Sequence, residues 1–219
     1  MRQNCLVPTT SQWLAFVAAS VLFIQVPGPS LLFTIGRALT VGRRDALLSV
    51  VGNSWGIFTQ ALAISVGLGA VVAASAQAYL AVKMVGAAYV VWLGVQAIRH
   101  RADARVALET VGRGSLPPAP ALRSLRVGFT VGVTNPKTLV FFVAFLPQFV
   151  NESAGHAGLQ LAALGAVFGT LGVASDSIWA LAAGKARDWF ARRPHRLDRL
   201  GVAGGVMMIG LGATLAASE

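Results

Sequence analysis

The sequence predicts an all-α, polytopic membrane protein with six transmembrane helices. Of its 219 residues, 55% are hydrophobic and only 12% are charged, which is about half the charged share of a soluble domain. Six apolar runs each come close to the roughly 20 residues that cross the hydrocarbon of a bilayer. They fall at about 13–35, 46–73, 78–98, 127–149, 159–183 and 200–217.

The second and third runs are nearly continuous and must fold back on each other. As one helix, residues 46–98 would reach about 80 Å at 1.5 Å per residue, far more than the thickness of a bilayer. The polar tripeptide Ser75-Ala76-Gln77 is where we expect the turn.

Basic residues are concentrated in alternate connections between the runs. Fifteen of the 18 lysines and arginines follow the first, third or fifth run, whereas Arg2 and Lys83 belong to the opposite side and Lys137 lies within a run. Because basic loops stay in the cytoplasm, we expect both termini outside it, in a bacterial inner membrane. The net charge of +10 is then a topology signal and a contact for anionic lipids, and no nucleic-acid-binding motif accompanies it.

The sequence offers few side chains for thiol chemistry or metal binding inside the membrane. Cys5 is the sole cysteine, and His100, His156 and His195 all lie in polar connecting segments. An intramembrane enzyme or electron carrier would need a nucleophile with its base, metal ligands or paired thiols inside the bundle. We therefore expect no enzyme activity and no metal site. A non-transporting assembly or regulatory membrane protein stays open as an alternative.

The chain divides into two halves of three runs each. We assign residues 1–110 to the first half, 111–124 to a cytoplasmic linker that contains Pro117-Pro118-Ala119-Pro120, and 125–219 to the second half. Three pairs of similar segments occur in the same order: Gly28-Pro29 with Asn135-Pro136, 48–56 with 161–169, and 85–88 with 200–203. An odd number of spans per half turns the second copy upside down, and inverted repeats with a site near the midplane are a transporter architecture. The alternative to a repeat is that these glycines recur only because they allow membrane helices to pack closely.

The first and fourth runs each contain a helix break. Pro27-Gly28-Pro29 should end one half-helix and begin another, with Gly28 as the cap and Pro29 as the first helical residue. Asn135-Pro136 repeats this arrangement, with asparagine as the cap. Such breaks survive in a membrane only where they are buried or face water. The second half-helices should therefore present their positive dipole ends to a shared anion site near the midplane.

Two charged residues lie within the runs close to these breaks. Lys137 stands in the first turn of a helix, where the dipole disfavours a cation, so we expect an anion beside it: a substrate carboxylate or Asp176. Asp176 is the predicted proton-coupling residue and the predicted partner for an ammonium group. A Lys137–Asp176 ion pair that merely joins two helices is the alternative. The intramembrane amides of Gln25, Asn53 and Gln60 either bind a polar ligand or bridge helices.

These motifs together resemble the lysine exporter / homoserine–threonine resistance family of amino-acid exporters. The similarity covers nearly the whole chain and rests on an ordered set: Pro27-Gly28-Pro29-Ser30, Gly42-Arg43-Arg44, Gly86-Ala87-Ala88-Tyr89, Asn135-Pro136-Lys137-Thr138, residues 141–149 and Ala180-Leu181-Ala182-Ala183-Gly184. It implies six spans, no bound cofactor, and export of amino acids or their derivatives driven by the proton gradient. The family often carries a histidine where this chain has Gln60, which puts weight on Asp176 for coupling.

The sequence thus predicts an exporter of a small amino-acid-like metabolite that works by proton exchange within a lipid bilayer. The predicted substrate-binding residues come from both halves: Pro27, Gly28, Pro29, Ser30, Asn53, Gln60, Asn135, Pro136, Lys137 and Asp176. With a single intramembrane carboxylate, partly offset by Lys137, a neutral zwitterion is favoured over a dibasic amino acid. A homodimer is compatible with so small a bundle.

Overall fold

The computed structural model describes residues 8–26, 28–74, 76–102, 106, 119–193 and 195–217, and within these ranges it contains helices and no strand. Two short 3-10 turns, Leu146–Phe149 and Glu152–Ala154, connect the sixth and seventh of these helices. The all-α prediction is confirmed. In chain order the helices are α1 (Thr10–Gln25), α2 (Pro29–Thr40), α3 (Arg43–Ala74), α4 (Ala76–Arg99), α5 (Ala121–Val133), α6 (Pro136–Phe145), α7 (Ala157–Ala191) and α8 (His195–Ala217).

Length and apolar composition identify the membrane spans within the described ranges. Three segments qualify on their own: Arg43–Gly67, Ala157–Ala183 and Asp198–Ala217. Two more arise if the bent pairs α1–α2 and α5–α6 each cross the membrane once. Helix α4 has 24 residues but is not among the helices that qualify. The chain is therefore a polytopic membrane protein, as predicted, whereas the sixth span remains a prediction.

The predicted break in the first run is present. Helix α1 ends at Gln25 and α2 begins at Pro29, with Gly28 as its N-cap, and the two helix axes are bent by 53°. Proline suits the first helical position because its φ angle is already helical and no hydrogen bond needs its missing N–H. Pro27 lies outside the described residues.

The predicted break in the fourth run is present as well. Helix α5 ends at Val133 and α6 begins at Pro136, with Asn135 as its N-cap, and the axes are bent by 47°. Both broken helices therefore follow the same local rule, a capping residue followed by proline. This similarity supports the predicted repeat without testing its symmetry.

The chain turns between runs close to the predicted places. Helix α3 ends at Ala74 and α4 begins at Ala76, within the predicted tripeptide. Helix α5 begins at Ala121, so the last four residues of the predicted linker 111–124 are helical. Residues 107–118, with most of the proline-rich sequence, lie outside the described part of the chain, and the division into two halves stays a prediction.

Helices α3 and α5 cross at very close range through glycines on both sides. A β-carbon on Gly52 or Gly56 would overlap the backbone of α5, and one on Gly128 or Gly132 would overlap the backbone of α3. Glycines four residues apart let membrane helices approach until their backbones touch. For the motif that contains Gly52 and Gly56, close packing is therefore an observed role, and this contact holds α3 beside the break between α5 and α6.

An aromatic cluster fills the bundle beside the breaks. Phe141 of α6 stacks on Phe23 of α1 with ring centroids 4.4 Å apart, and on Phe145 at 5.2 Å. Phe168 of α7 lies 4.9 Å from Phe141. Such pairs contribute about 0.5–1.5 kcal/mol each beyond their buried area, so they help to hold α1, α6 and α7 together.

A gap separates α2 from the paired helices α4 and α8. Those two helices contact each other through Gly94 and Gly205, and α6 joins them where Gly86 of α4 meets Ala144. Helix α2 packs instead on α3 and α7 and makes no comparable contact with α4 or α8. The space between them becomes a cavity.

The glycine crossing makes a first testable prediction. Gly128→Ala should lower the free energy of unfolding by about 1–3 kcal/mol, the usual cost of overpacking, because the added methyl group would overlap the backbone of Ser49. Gly67 is also helical, but nothing lies within 4 Å of a β-carbon placed there. Gly67→Ala should therefore be neutral or stabilise by up to about 1 kcal/mol. Thermal unfolding of the two purified variants in detergent measures the difference, and equal stabilities would contradict the close crossing.

Candidate functional site

The two helix breaks meet around a small buried cavity of about 40 Å³, which is room for a few water molecules. Five of the ten predicted substrate-binding residues line it: Gly28, Ser30, Asn135, Lys137 and Asp176. The rest of its lining is largely apolar: Phe23, Ile24, Val26, Leu31, Ile57, Thr138, Phe168 and Gly172. Of the other predicted residues, the prolines Pro29 and Pro136 begin α2 and α6 at its edge, while the amides of α3 reach it through hydrogen bonds.

A chain of polar side chains joins the two second half-helices to α3. The Asn135 Nδ2 donates to Ser30 Oγ at 2.7 Å, and Ser30 Oγ donates to Asn53 Oδ1 at 3.0 Å. Asn53 is 2% exposed and Asn135 is 4% exposed. The structure thus brings together residues from α2, α3 and the break between α5 and α6. In this arrangement Asn53 bridges helices.

The N-termini of α2 and α6 differ in how their free N–H groups are used. At α6, Asn135 Oδ1 accepts a hydrogen bond from the backbone N–H of Lys137 at 3.1 Å, so the helix is capped by its own side chain. At α2 the cap is Gly28, which has no side chain to accept such a bond. The positive end of α2 is therefore the one open to an anion.

Lys137 binds the C-terminal end of α1. Its Nζ donates to the carbonyl oxygens of Phe23 at 2.7 Å and Val26 at 2.6 Å and lies 4.5 Å from the centroid of the Phe23 ring. Carbonyls at a helix C-terminus carry the negative end of the dipole. The negative charge expected beside Lys137 thus comes in part from the carbonyl dipoles at the end of α1. These bonds use two of the three ammonium protons and leave the third for another acceptor.

Gln60 binds a carbonyl oxygen at the end of α5, as Lys137 does at the end of α1. Its Nε2 donates to the carbonyl oxygen of Val133, the last residue of α5, at 2.8 Å. It also donates at 3.2 Å to the carbonyl oxygen of Asn135, which caps α6 and already accepts from the N–H of Leu139. Gln60 does not line the cavity between the breaks. Of the two roles kept open for this amide, helix bridging is the one observed. Each half of the chain therefore satisfies the carbonyls that a break frees in the other half.

Asp176 of α7 lies on the cavity with no hydrogen-bond partner among the described residues, and the charge of Lys137 acts on it from the same cavity. Its side chain is 5% exposed, and within the described part of the chain no hydrogen bond or ion pair reaches its carboxylate. The Lys137–Asp176 pair is thus not in direct contact here, although both residues face one cavity. A buried carboxylate without a partner is costly. It calls for a proton or a cationic ligand group.

A second, larger cavity of about 390 Å³ continues from the first. Gly28, Leu31 and Lys137 line both, so the two cavities meet at the break between α1 and α2. From there the larger cavity occupies the gap between α2, α4, α7 and α8 and reaches His100 and Arg101 at the end of α4. The arginine-rich topology predicts that this end faces the cytoplasm.

One buried polar cluster was not predicted from the sequence. Arg37 Nη2 donates to Ser124 Oγ at 2.8 Å, and Ser124 Oγ donates to Asp45 Oδ1 at 2.8 Å. Asp45 is 2% exposed and lies just before the apolar run that begins at residue 46. Its place in the first turn of α3, where the dipole stabilises an acid, was the available signal. The cluster joins the end of α2 to the starts of α3 and α5.

Two broken helices that meet around a buried cavity with a few polar and charged side chains, inside a helical bundle, are typical of a membrane transporter. The chain belongs to the family of LysE type translocators, whose model matches residues 21–219. This result confirms the resemblance drawn from the sequence motifs. Translocation also agrees with the expectation that the chain is not an enzyme.

Relatives align with the chain over most of its length. A membrane protein of Vibrio cholerae with no described activity is 34% identical over 94% of this chain and 97% of its own. The homoserine/homoserine lactone efflux protein of Salmonella typhimurium is 28% identical over 96% of this chain and 98% of its own. The leucine efflux protein of Klebsiella pneumoniae is 25% identical over 67% of each chain. No solved structure matches.

The bonds of Lys137 make a second prediction. Lys137→Met keeps the apolar stem but leaves the carbonyl of Val26 without a donor, at roughly 1–3 kcal/mol. The carbonyl of Phe23 keeps only the 3.3 Å bond from the backbone N–H of Val26. We expect a clear loss of thermal stability in detergent. Lys185→Met, the same change at an exposed lysine, should leave the unfolding temperature unchanged. If both variants unfold at the wild-type temperature, Lys137 does not hold the end of α1.

Proposed function

We propose that the chain exports an amino acid or a close derivative from the cytoplasm across a bacterial inner membrane, by exchange with protons. The observation that carries the proposal is that groups of opposite charge line one buried cavity. They are the open N-terminus of α2 with Lys137, and Asp176. Relatives named as efflux proteins for homoserine, homoserine lactone and leucine support the substrate class.

The carboxylate of the substrate would bind at the start of α2. The first N–H groups of that helix have no side-chain acceptor because Gly28 is the cap. A β-carbon on Gly28 would come 2.9 Å from Lys137 Cδ, so a larger cap residue would both fill this space and displace the lysine. The remaining ammonium proton of Lys137 adds a charge-assisted donor.

The ammonium group of the substrate would bind Asp176. Its carboxylate lies on the same cavity and lacks any other partner in the described residues. When the substrate leaves toward the outside, a proton takes the place of the ammonium group and avoids a bare buried charge. Asp176 therefore binds either substrate or proton, and this competition couples their opposite movements. Gln60 bears no ionisable group and takes no part in coupling.

The substrate would enter through the larger cavity. At about 40 Å³ the cavity between the breaks is too small for an amino acid, whereas the adjoining cavity of about 390 Å³ falls within the usual size range of ligand sites. The larger cavity also reaches the basic end of α4. This arrangement suits a conformation that admits substrate from the cytoplasm, with the aromatic cluster closing the other side.

We also propose the membrane arrangement drawn from the sequence. It comprises six spans in two inverted halves, 1–110 and 125–219, with the connecting linker 111–124 in the cytoplasm and both termini outside. The protons and the amino-acid-like substrate are its partners within the bilayer, and a homodimer is compatible with it.

The coupling role of Asp176 makes a third prediction. Asp176→Asn cannot exchange an ammonium group for a proton, so efflux of labelled amino acids from preloaded, overexpressing cells should fall at least tenfold, with normal protein in the membrane. Asp198→Asn is the matched control, since Asp198 lies at the start of α8 beside His195, and this variant should keep its efflux. A variant of Asp176 whose efflux still responds to a protonophore would contradict the coupling. The absence of efflux from wild-type cells would favour a non-transporting membrane protein.

The proposed topology makes a fourth prediction. Cys5 is the sole thiol of the chain, so a membrane-impermeant maleimide should label it in cells whose outer membrane has been made permeable. As a control, the double variant Cys5→Ser/Ser115→Cys moves the thiol to the predicted cytoplasmic linker. It should be labelled only after the inner membrane is disrupted. The reverse pattern would overturn the orientation.

A further inference from the structure

We propose that the substrate carries an apolar side chain of at least the size of leucine or methionine and that the larger cavity binds this side chain. The inference rests on the proposed function, because it takes the substrate's charged groups to lie between Lys137 and Asp176. It adds a substrate class, which the family and its relatives leave open.

The position of the larger cavity makes it the place for a side chain. It shares Gly28, Leu31 and Lys137 with the cavity between the breaks. A molecule whose carboxylate lies at the start of α2 therefore has its side chain within reach of the larger space. With about 390 Å³ there is room for the side chain to extend toward α4 and α8.

The walls of the larger cavity are mainly apolar. Residues of α2, α4, α7 and α8 form these walls. The apolar ones include Leu31, Ile35, Leu93, Ala97, Trp179 and Met208. An apolar side chain removes this surface from water, which is favourable in proportion to the area buried. Glycine or alanine would leave most of the cavity unfilled. Each added methylene changes recognition by about tenfold or more.

The charges of the cavity disfavour a cationic side chain. No aspartate or glutamate lines it within the described part of the chain, whereas Lys137 lies at one end and Arg101 with His100 at the other. A lysine-like side chain would meet like charge and find no carboxylate. Asp176 does not help, because it lies on the smaller cavity and serves the substrate's own ammonium group.

A hydroxyl side chain would find little to bind near the breaks. Gln25 is the polar side chain beside that end of the larger cavity, and each of its amide atoms already takes part in one hydrogen bond. Its Nε2 donates to Ser175 Oγ at 3.2 Å, and its Oε1 accepts from Trp179 Nε1 at 3.4 Å. The same bonds hold the indole of Trp179 as a fixed wall. The other amide of the lining, Gln96, lies farther along α4. Near the breaks the hydroxyl group of threonine or homoserine would therefore lose its water partners and gain at most a shared bond with Gln25.

Exchange in proteoliposomes tests this inference on the full-length chain. Vesicles with reconstituted protein and unlabelled leucine inside take up labelled leucine by exchange, and leucine, methionine, alanine, threonine, homoserine and lysine compete from outside. Leucine and methionine should inhibit at concentrations at least tenfold lower than alanine, threonine or homoserine, and lysine should be weakest. Parallel experiments with labelled threonine and labelled lysine distinguish a wrong substrate class from a protein that does not transport amino acids. Exchange that prefers threonine, homoserine or lysine would overturn the inference alone, whereas no exchange of any of them would overturn the proposed function.

A pair of alanine variants locates the specificity in the cavity. Ala97→Phe fills the larger cavity and should weaken competition by leucine at least tenfold while alanine competes as before. Ala88→Phe makes the same change on an exposed face of the same helix and should behave as wild type. If Ala97→Phe does not fold, the smaller change Ala97→Leu replaces it, with a several-fold loss expected for leucine. Equal effects on leucine and alanine would place the side chain elsewhere and overturn the assignment.

Discussion

A broken helix inside a membrane leaves carbonyl oxygens that lipid cannot satisfy, and the remaining architecture of this chain depends on how those oxygens are bound. Lys137 from the second half binds the end of α1, and Gln60 from the first half binds the end of α5. Lys137 joins the two breaks directly, and Gln60 ties the second break to α3. Both breaks are thereby held around the cavity that Asp176 also lines.

Local signals made the breaks predictable, because they depend on residues next to one another in the chain. Proline cannot continue a helix, and glycine or asparagine before it suits a cap, so both second half-helices begin where the sequence predicts. The partner of Lys137 was not predictable in the same way. The sequence shows that a lysine in a first helical turn needs negative charge, but two backbone carbonyls more than a hundred residues away are a product of tertiary packing. Asp45 was missed for a related reason, because it lies one residue outside an apolar run.

The two broken helices are alike in sequence but unequal in structure. Helix α6 is capped by Asn135 and packs against α4, whereas α2 has a bare glycine cap and faces the gap toward α4 and α8. A two-fold repeat in its symmetric form would treat both alike. The inequality concentrates the open donors and the larger cavity on the first break, which is why that break dominates the proposed site.

The reciprocal bonding of the breaks has a consequence for biosynthesis. Val26 and Lys137 are 111 residues apart, so a ribosome that adds about 5–20 residues per second needs roughly 5–20 seconds between them. During that interval the nascent first half lies in the bilayer with the carbonyls of its broken helix unbound. Until α6 is inserted, either the insertion machinery shields these carbonyls from lipid or the first apolar run forms a straighter helix. The chain therefore reaches its folded state late in translation, as one unit rather than as two halves that mature in turn.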